Sequence, residues 1–174
     1  MTRSMSRLSA LVLSCTLTAA ATAGLVSTQT VGSGAKRASL QFDFENGNSH
    51  VVHLRWDGTL TGFGALELMS TQATGGRLDY LSFSFGKFVT GLGVGDDYQY
   101  GEGELWPVEN YWHYWTAEGD AMFEAAMFGA ADRTLQDGSR DAWVFGSSAA
   151  PAAIPATGVL ALAACAGLCR RRRA

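Results

Sequence analysis

Leu40-Gln41-Phe42-Asp43-Phe44-Glu45-Asn46-Gly47 is the stretch that decides the fold. Leu40, Phe42 and Phe44 alternate with Gln41, Asp43 and Glu45, the period of two that gives a strand one buried and one polar face. Asn46-Gly47 favours a tight turn, because both residues tolerate the positive φ that such turns need, and Val51 to Trp56 supplies the returning strand. A β-hairpin therefore opens the body. Beyond it, Thr61 caps a short helix in which Phe63, Leu66, Met69 and Ala73 fall on one face, and Gly75-Gly76 stops it. Leu78 to Phe85 and Lys87 to Val94 read as extended, Gly95 to Glu109 as a glycine- and acid-rich loop, and Tyr111 to Thr116 as an aromatic strand. A final pair, around Thr134 and from Asp141 to Gly146, brackets Asp137-Gly138. Strands on both sides of one helix predict the α+β class, a short helix packed on a mostly antiparallel sheet.

Both ends of the chain carry a different kind of signal. Arg3 and Arg7 precede the apolar run Leu8 to Leu17, and Ala21-Thr22-Ala23 offers a small-residue cleavage site, so residues 1–23 read as a secretory signal peptide cut after Ala23. Residues 24–37 and 147–155 read as linkers around a domain spanning 38–146. The tail, 154–174, joins Ile154-Pro155-Ala156-Thr157-Gly158 to an apolar run and to Arg170, Arg171, Arg172 and Arg173. Ala156 to Cys169 is 14 residues. As a helix it reaches roughly 21 Å, short of the ~30 Å hydrocarbon core. The arginines hold that end on the cytoplasmic side and leave the body outside.

With both ends set aside, the composition changes meaning. From Ala38 to Ser148 five basic residues face sixteen acids, a balance of −11. That charge repels a phosphate backbone, so nucleic acid is not an expected partner. Cys15, Cys165 and Cys169 all lie in the terminal segments, so the body must hold together without disulfides.

Candidate chemistry is sparse. His50 and His53, three apart on a strand, point to opposite faces and cannot share a metal. Gly91-Leu92-Gly93-Val94-Gly95 runs into Asp96-Asp97 rather than a helix, which suits turns and close packing rather than a pyrophosphate. Asp96, Asp97, Glu102 and Glu104 form either a solvated acidic loop or a calcium site of oxygen ligands. No G-x-S-x-G elbow or H-E-x-x-H pair is present, so no enzyme is expected. Tyr98, Tyr100, Trp106, Trp112, Tyr114 and Trp115 crowd together, and strand alternation sorts Tyr111, His113 and Trp115 from Trp112 and Tyr114. One set fills the core; the other, with the loop rings, either joins it or forms a platform for a sugar or flat ligand.

Two resemblances follow. The tail resembles the PEP-CTERM sorting signals read by exosortase-like membrane proteases in Gram-negative bacteria, and is close to their Val/Ile-Pro-Ala-Pro-Gly variants, with Thr157 in place of the second proline. It also looks like the sortase pentapeptide, Leu-Pro-x-Thr-Gly, but only 11 residues separate Gly158 from Arg170, which favours the first. That resemblance implies export across the inner membrane by the secretion machinery, transient membrane anchoring, and release to a cell surface or matrix associated with exopolysaccharide. The body, from Leu40 to Gly146, resembles the transcobalamin-like C-terminal domain. The match is carried by the opening hairpin, the helix Phe63 to Ala73, and the strand Gly86-Lys87-Phe88-Val89-Thr90-Gly91-Leu92. Tyr111-Trp112-His113-Tyr114-Trp115, and Leu135-Gln136-Asp137-Gly138 before Trp143-Val144-Phe145, complete it. The resemblance implies a β-grasp-type fold that binds a soluble ligand. The large helical domain that closes over the corrin in the animal carriers has no counterpart in the sequence, so cobalamin is not expected and no cofactor is assigned. The expectation is a non-catalytic binding module for a soluble ligand or glycan, with a structural component of an extracellular matrix as the alternative.

Overall fold

The opening hairpin forms as the alternation requires. In the computed structural model, which describes residues 24–84, 86–103 and 109–154, strand β2 (Lys36–Asp43) pairs antiparallel with β3 (Asn48–Trp56). Gly47 turns between them at φ 84°. Leu40, Phe42, Val52 and Leu54 are all fully buried, each worth about 1.5–3 kcal/mol relative to exposure. Helix α1 (Gly62–Gln72) starts at Thr61, whose Oγ1 accepts from the Gly64 N–H at 3.0 Å. Phe63, Leu66 and Met69 meet the core from it, and Ala73 is its C-cap.

The stretch 24–37 is not a linker. Gly24–Gly32 forms β1, parallel to β3, and the chain then turns directly into β2. Its many serines and threonines suit an edge strand with one polar face, and Val31 supplies the buried anchor at 4 % exposure. The turn needs glycine: at Gly32, φ 75°, a Cβ would lie 2.2 Å from the Arg55 carbonyl oxygen. Lys36 and Arg37 thereby join the body, so residues 24–154 hold seven basic residues against sixteen acids, a balance of −9.

Strands β4 (Arg77–Phe83) and β5 (Gly86–Val94) are extended as expected and pair antiparallel with each other, but the loop from Gly95 is partly strand: β6 (Asp97–Tyr100) completes a three-stranded antiparallel sheet. Asp97-Tyr98-Gln99-Tyr100 alternates, which its acidic setting disguised. The aromatic strand is β7 (Trp112–Glu118), the short β8 (Glu124–Ala125) pairs with it, and β9 (Ser139–Phe145) closes the chain's strands. No hairpin pairs β9 with the stretch around Thr134, which instead makes a single bridge to Thr61. The six-stranded sheet runs β1-β3-β2-β9-β7-β8, with β1 parallel to β3, β2 parallel to β9 and the other pairs antiparallel. The fold is α+β and sheet-dominated. Its core lies between one face of the large sheet and a layer made by α1 and the inner face of the small sheet, where Leu92 and Val94 are fully buried.

The second face of the large sheet is covered at one end by residues 147–154, also read as linker. Asp43 Oδ2 accepts the Ala152 N–H at 2.8 Å, and Gln41 Nε2 donates to the Ala152 carbonyl at 2.8 Å. Two polar side chains on the strand that opened the sequence reading are buried by this return of the chain. The signal residues through Ala23, the sorting residues Pro155, Ala156, Thr157, Gly158, Arg170, Arg171, Arg172 and Arg173, and the loop residues Glu104 and Trp106 lie outside the described residues. Ile154, the last one described, is half-buried. Among the described residues no helix is long and apolar enough to cross a membrane.

Candidate functional site

The predicted aromatic cluster divides among three environments. Trp112 is buried in the core, packed edge-on against Phe44 and Phe145, and its Nε1 donates to the Gln99 carbonyl at 3.3 Å. Tyr114 shares that face, stacks on Trp143 at 4.4 Å, and donates to Asp141 Oδ2 at 2.5 Å. Burial and the Asp141 carboxylate push the Tyr114 hydroxyl far above its ordinary pKa. Asp141 and Glu118 also hold Arg133, at 2.9 and 2.7 Å. Trp112 is a core residue and Tyr114 packs against the core, so neither is part of an open platform. Trp115 and His113 lie on the other face of β7 and are only partly exposed. Alternation sorted the two sets correctly; neither forms an open surface.

Tyr98 and Tyr100 do. Both lie on the outer face of the small sheet, 40 % and 46 % exposed. They stand opposite Gly93 and Gly91 of β5, whose far neighbours on β4 are Arg77 and Asp79. Lacking side chains, the two glycines make a floor. A Cβ on Gly91 would lie 2.6 Å from Asp79 Oδ2 and 2.8 Å from the Tyr98 hydroxyl, so these groups rest directly on the backbone. The Arg77 guanidinium sits 3.9 Å from the Tyr98 ring centre. Tyr98 Oη and Arg77 Nε both donate to Asp79 Oδ2 at 2.9 Å. Tyr100 donates to Glu102. Burial and then Asp79 raise the Tyr98 pKa, and the Glu102 hydrogen bond raises that of Tyr100, so both phenols stay protonated at neutral pH. Beside the rings a hollow of about 560 Å³ opens between β6 and the turn Phe44-Glu45-Asn46.

Of the four acids read as either a solvated loop or a calcium site, the three that are described point in different directions. Asp97 turns inward, Glu102 sits outward against Tyr100, and Asp96 is exposed at the turn. Among the described residues no group of three or more His, Cys, Asp or Glu side chains is placed to hold a metal. His50 and His53 do point to opposite faces, the first 1 % exposed and the second open to solvent.

Sequence reasoning missed the partners of His50. Asp97 Oδ2 lies 2.7 Å from His50 Nε2, and Ser27 Oγ lies 2.7 Å from His50 Nδ1. The carboxylate selects the Nε2–H tautomer, leaving Nδ1 to accept from the Ser27 hydroxyl. His50, then Asn48 and Asn46, hold the Asp97 pKa below the ordinary carboxylate value against the opposing effect of burial. The order carboxylate, imidazole, hydroxyl is that of an activated serine, but neither ring nitrogen reaches solvent, and Gly95 lies along the ring edge. The network ties β1, β3 and β6 together, and so fixes the small sheet that carries the tyrosines to the large one. No local signal announces it, because Ser27, His50 and Asp97 are brought together only by strand register. No family model, curated protein or solved structure matches this chain.

Proposed function

We propose that this chain is an exported, surface-sorted, non-catalytic module that binds a soluble ligand or glycan through the outer face of its small sheet. The carrying observation is the pair of exposed rings, Tyr98 and Tyr100, laid on the glycine floor between Arg77, Asp79 and Glu102. An aromatic ring stacks on the apolar face of a sugar while neighbouring carboxylates and guanidiniums take its hydroxyls, and the adjoining hollow is of ligand size. The β-grasp reading draws on strand order: an opening hairpin, a helix, and a last strand, β9, parallel to the first hairpin strand at the sheet centre. Export and sorting rest on the terminal sequence patterns and on the absence of cysteine from the body.

The test is thermal unfolding of the full chain against panels of glycans and corrinoids, and against calcium. A ligand at 100 times its dissociation constant adds about 2.7 kcal/mol. The expected result is stabilisation by a glycan or small molecule that Tyr98→Ala and Tyr100→Ala abolish. Stabilisation by an uncharged glycan or small molecule that survives both substitutions, or none from any ligand, sinks the proposal. The second outcome favours a structural matrix component, a reading that draws on the exposed apolar side chains Leu81, Phe83, Met122, Met127 and Phe128.

A further inference from the structure

The second face of the large sheet, on the far side of the core from the tyrosines, has the opposite charge to the rest of the body. Strand register lays its open end out as two rows. Arg55 of β3 stands directly opposite Arg37 of β2. In the next row Thr30, His53, Ser39 and Arg140 run across β1, β3, β2 and β9. The rows are about 7 Å apart along the strands and neighbouring strands about 4.8 Å apart. Thr30, Arg37 and Arg55 border a hollow of about 310 Å³ with His53 at its side.

Two features separate this patch from ordinary surface charge. Like charges directly opposite on paired strands are destabilising, yet Arg37 and Arg55 are paired in a chain with only seven basic residues in its body. Neither their side chains nor that of His53 makes a hydrogen bond or ion pair with any described residue, although sixteen acids are available. Among the strand residues of this face the one acid is Asp43, at the covered end and engaged by Ser49, Gln41 and Ala152. Of the flanking acids, Asp137 accepts the Arg37 backbone N–H and Asp57 that of Ala35. Arg140 is committed to the Ala121 carbonyl and the Phe123 ring.

We propose that this face binds an anionic polysaccharide, with Arg37 and Arg55 gripping one acidic group and His53, Thr30 and Ser39 taking hydroxyls of the same chain. Guanidinium forks match carboxylate and sulfate oxygens in pairs. The short hydroxyl side chains between them suit a sugar backbone, and the hollow admits a sugar ring rather than a duplex. At about 0.15 M salt, a screening length near 8 Å mutes the distant acids while leaving direct contacts strong.

The test is affinity electrophoresis of the full chain at that ionic strength, in gels containing polygalacturonate, dextran sulfate or neutral dextran, with poly(dT) as competitor. The expected result is retardation by polygalacturonate or dextran sulfate and none by dextran, the two acidic polymers distinguishing carboxylate from sulfate. Arg37→Gln with Arg55→Gln should weaken binding about tenfold or more, with melting temperature unchanged or raised because a like-charge pair is relieved; Lys87→Gln should bind as the parent does. Equal mobility in all three gels, undiminished binding by the double glutamine variant, or stronger binding of poly(dT) than of either polysaccharide would overturn the proposal.

Discussion

Asp97→Ala probes the network that joins the two sheets. The carboxylate accepts from His50 Nε2 at 2.7 Å, Asn48 Nδ2 at 2.9 Å and Asn46 Nδ2 at 2.8 Å. The asparagine amides can turn to water, since Asp97 itself is 16 % exposed. The His50 N–H cannot, because its ring is 1 % exposed. Leaving that donor unpaired costs about 1–3 kcal/mol, and losing charge-assisted bonds at a partly solvated site adds about 1 more, so the expected loss is about 2–4 kcal/mol. The sign with pH is fixed by the direction of the Asp97 shift. A carboxyl whose folded pKa is depressed contributes stability that is fully present above its unfolded value near 3.9 and disappears as pH falls through the lower folded value. Urea unfolding followed by tryptophan fluorescence should show the full gap between parent and variant at pH 7, narrowing once the pH is below 3.9. A gap under about 0.5 kcal/mol at pH 7, the usual range for an unconnected surface change, would refute the network's role. So would a gap that is the same at pH 7 and below the folded pKa.

Three further outcomes follow from other parts of the molecule. Gly91→Ala puts a Cβ against the Asp79 carboxylate and the Tyr98 hydroxyl, which can swing away, and 3.0 Å from the Asp79 Cβ, which must give by a few tenths of an ångström; glycan-induced stabilisation should fall more than the melting temperature without ligand. Burial lowers the His113 pKa, partly opposed by Glu109, so its contribution is present above pH 6.5 and lost as pH falls below that toward the folded value. The drop in melting temperature between pH 7.5 and 5.5 should therefore be smaller in His113→Gln than in the parent. Mass spectrometry of the exported protein should find the chain ending before Arg170; an intact Arg170 to Arg173 in surface protein contradicts proteolytic sorting.

What was legible in the sequence was local. The alternation of Leu40, Phe42 and Phe44, the Asn46-Gly47 turn, the spacing of Phe63, Leu66 and Met69, and the two faces of β7 all express periods that the backbone imposes within a few residues. The strands missed were those whose polar residues fit a half-exposed ladder without looking apolar: β1, rich in serine and threonine, and β6, where acid and tyrosine alternate. Coverage was not legible either. Gln41 and Asp43 were assigned correctly to a polar face, but nothing near them says that residues more than a hundred positions later fold back to bury them.

The same limit explains why the candidate surfaces differ from those that composition suggests. Seven aromatic residues between Tyr98 and Trp115 leave open which of them fill the core and which form a platform; packing takes Trp112 and Tyr114 because they share a face with Phe145 and Trp143, and a sheet beside a single short helix must fill its core with large rings. Tyr98 and Tyr100 remain outside because alternation along β6 turns Asp97 inward and the two rings outward, where the neighbouring glycines give them a flat bed. Net charge misleads in the same way. A balance of −9 describes the molecule at distances beyond the screening length, whereas Arg37 and Arg55 meet a ligand at contact, on a face whose acids are either absent or engaged. The charge relevant to binding is therefore set by which residues the register places side by side, and only the fold supplies that register.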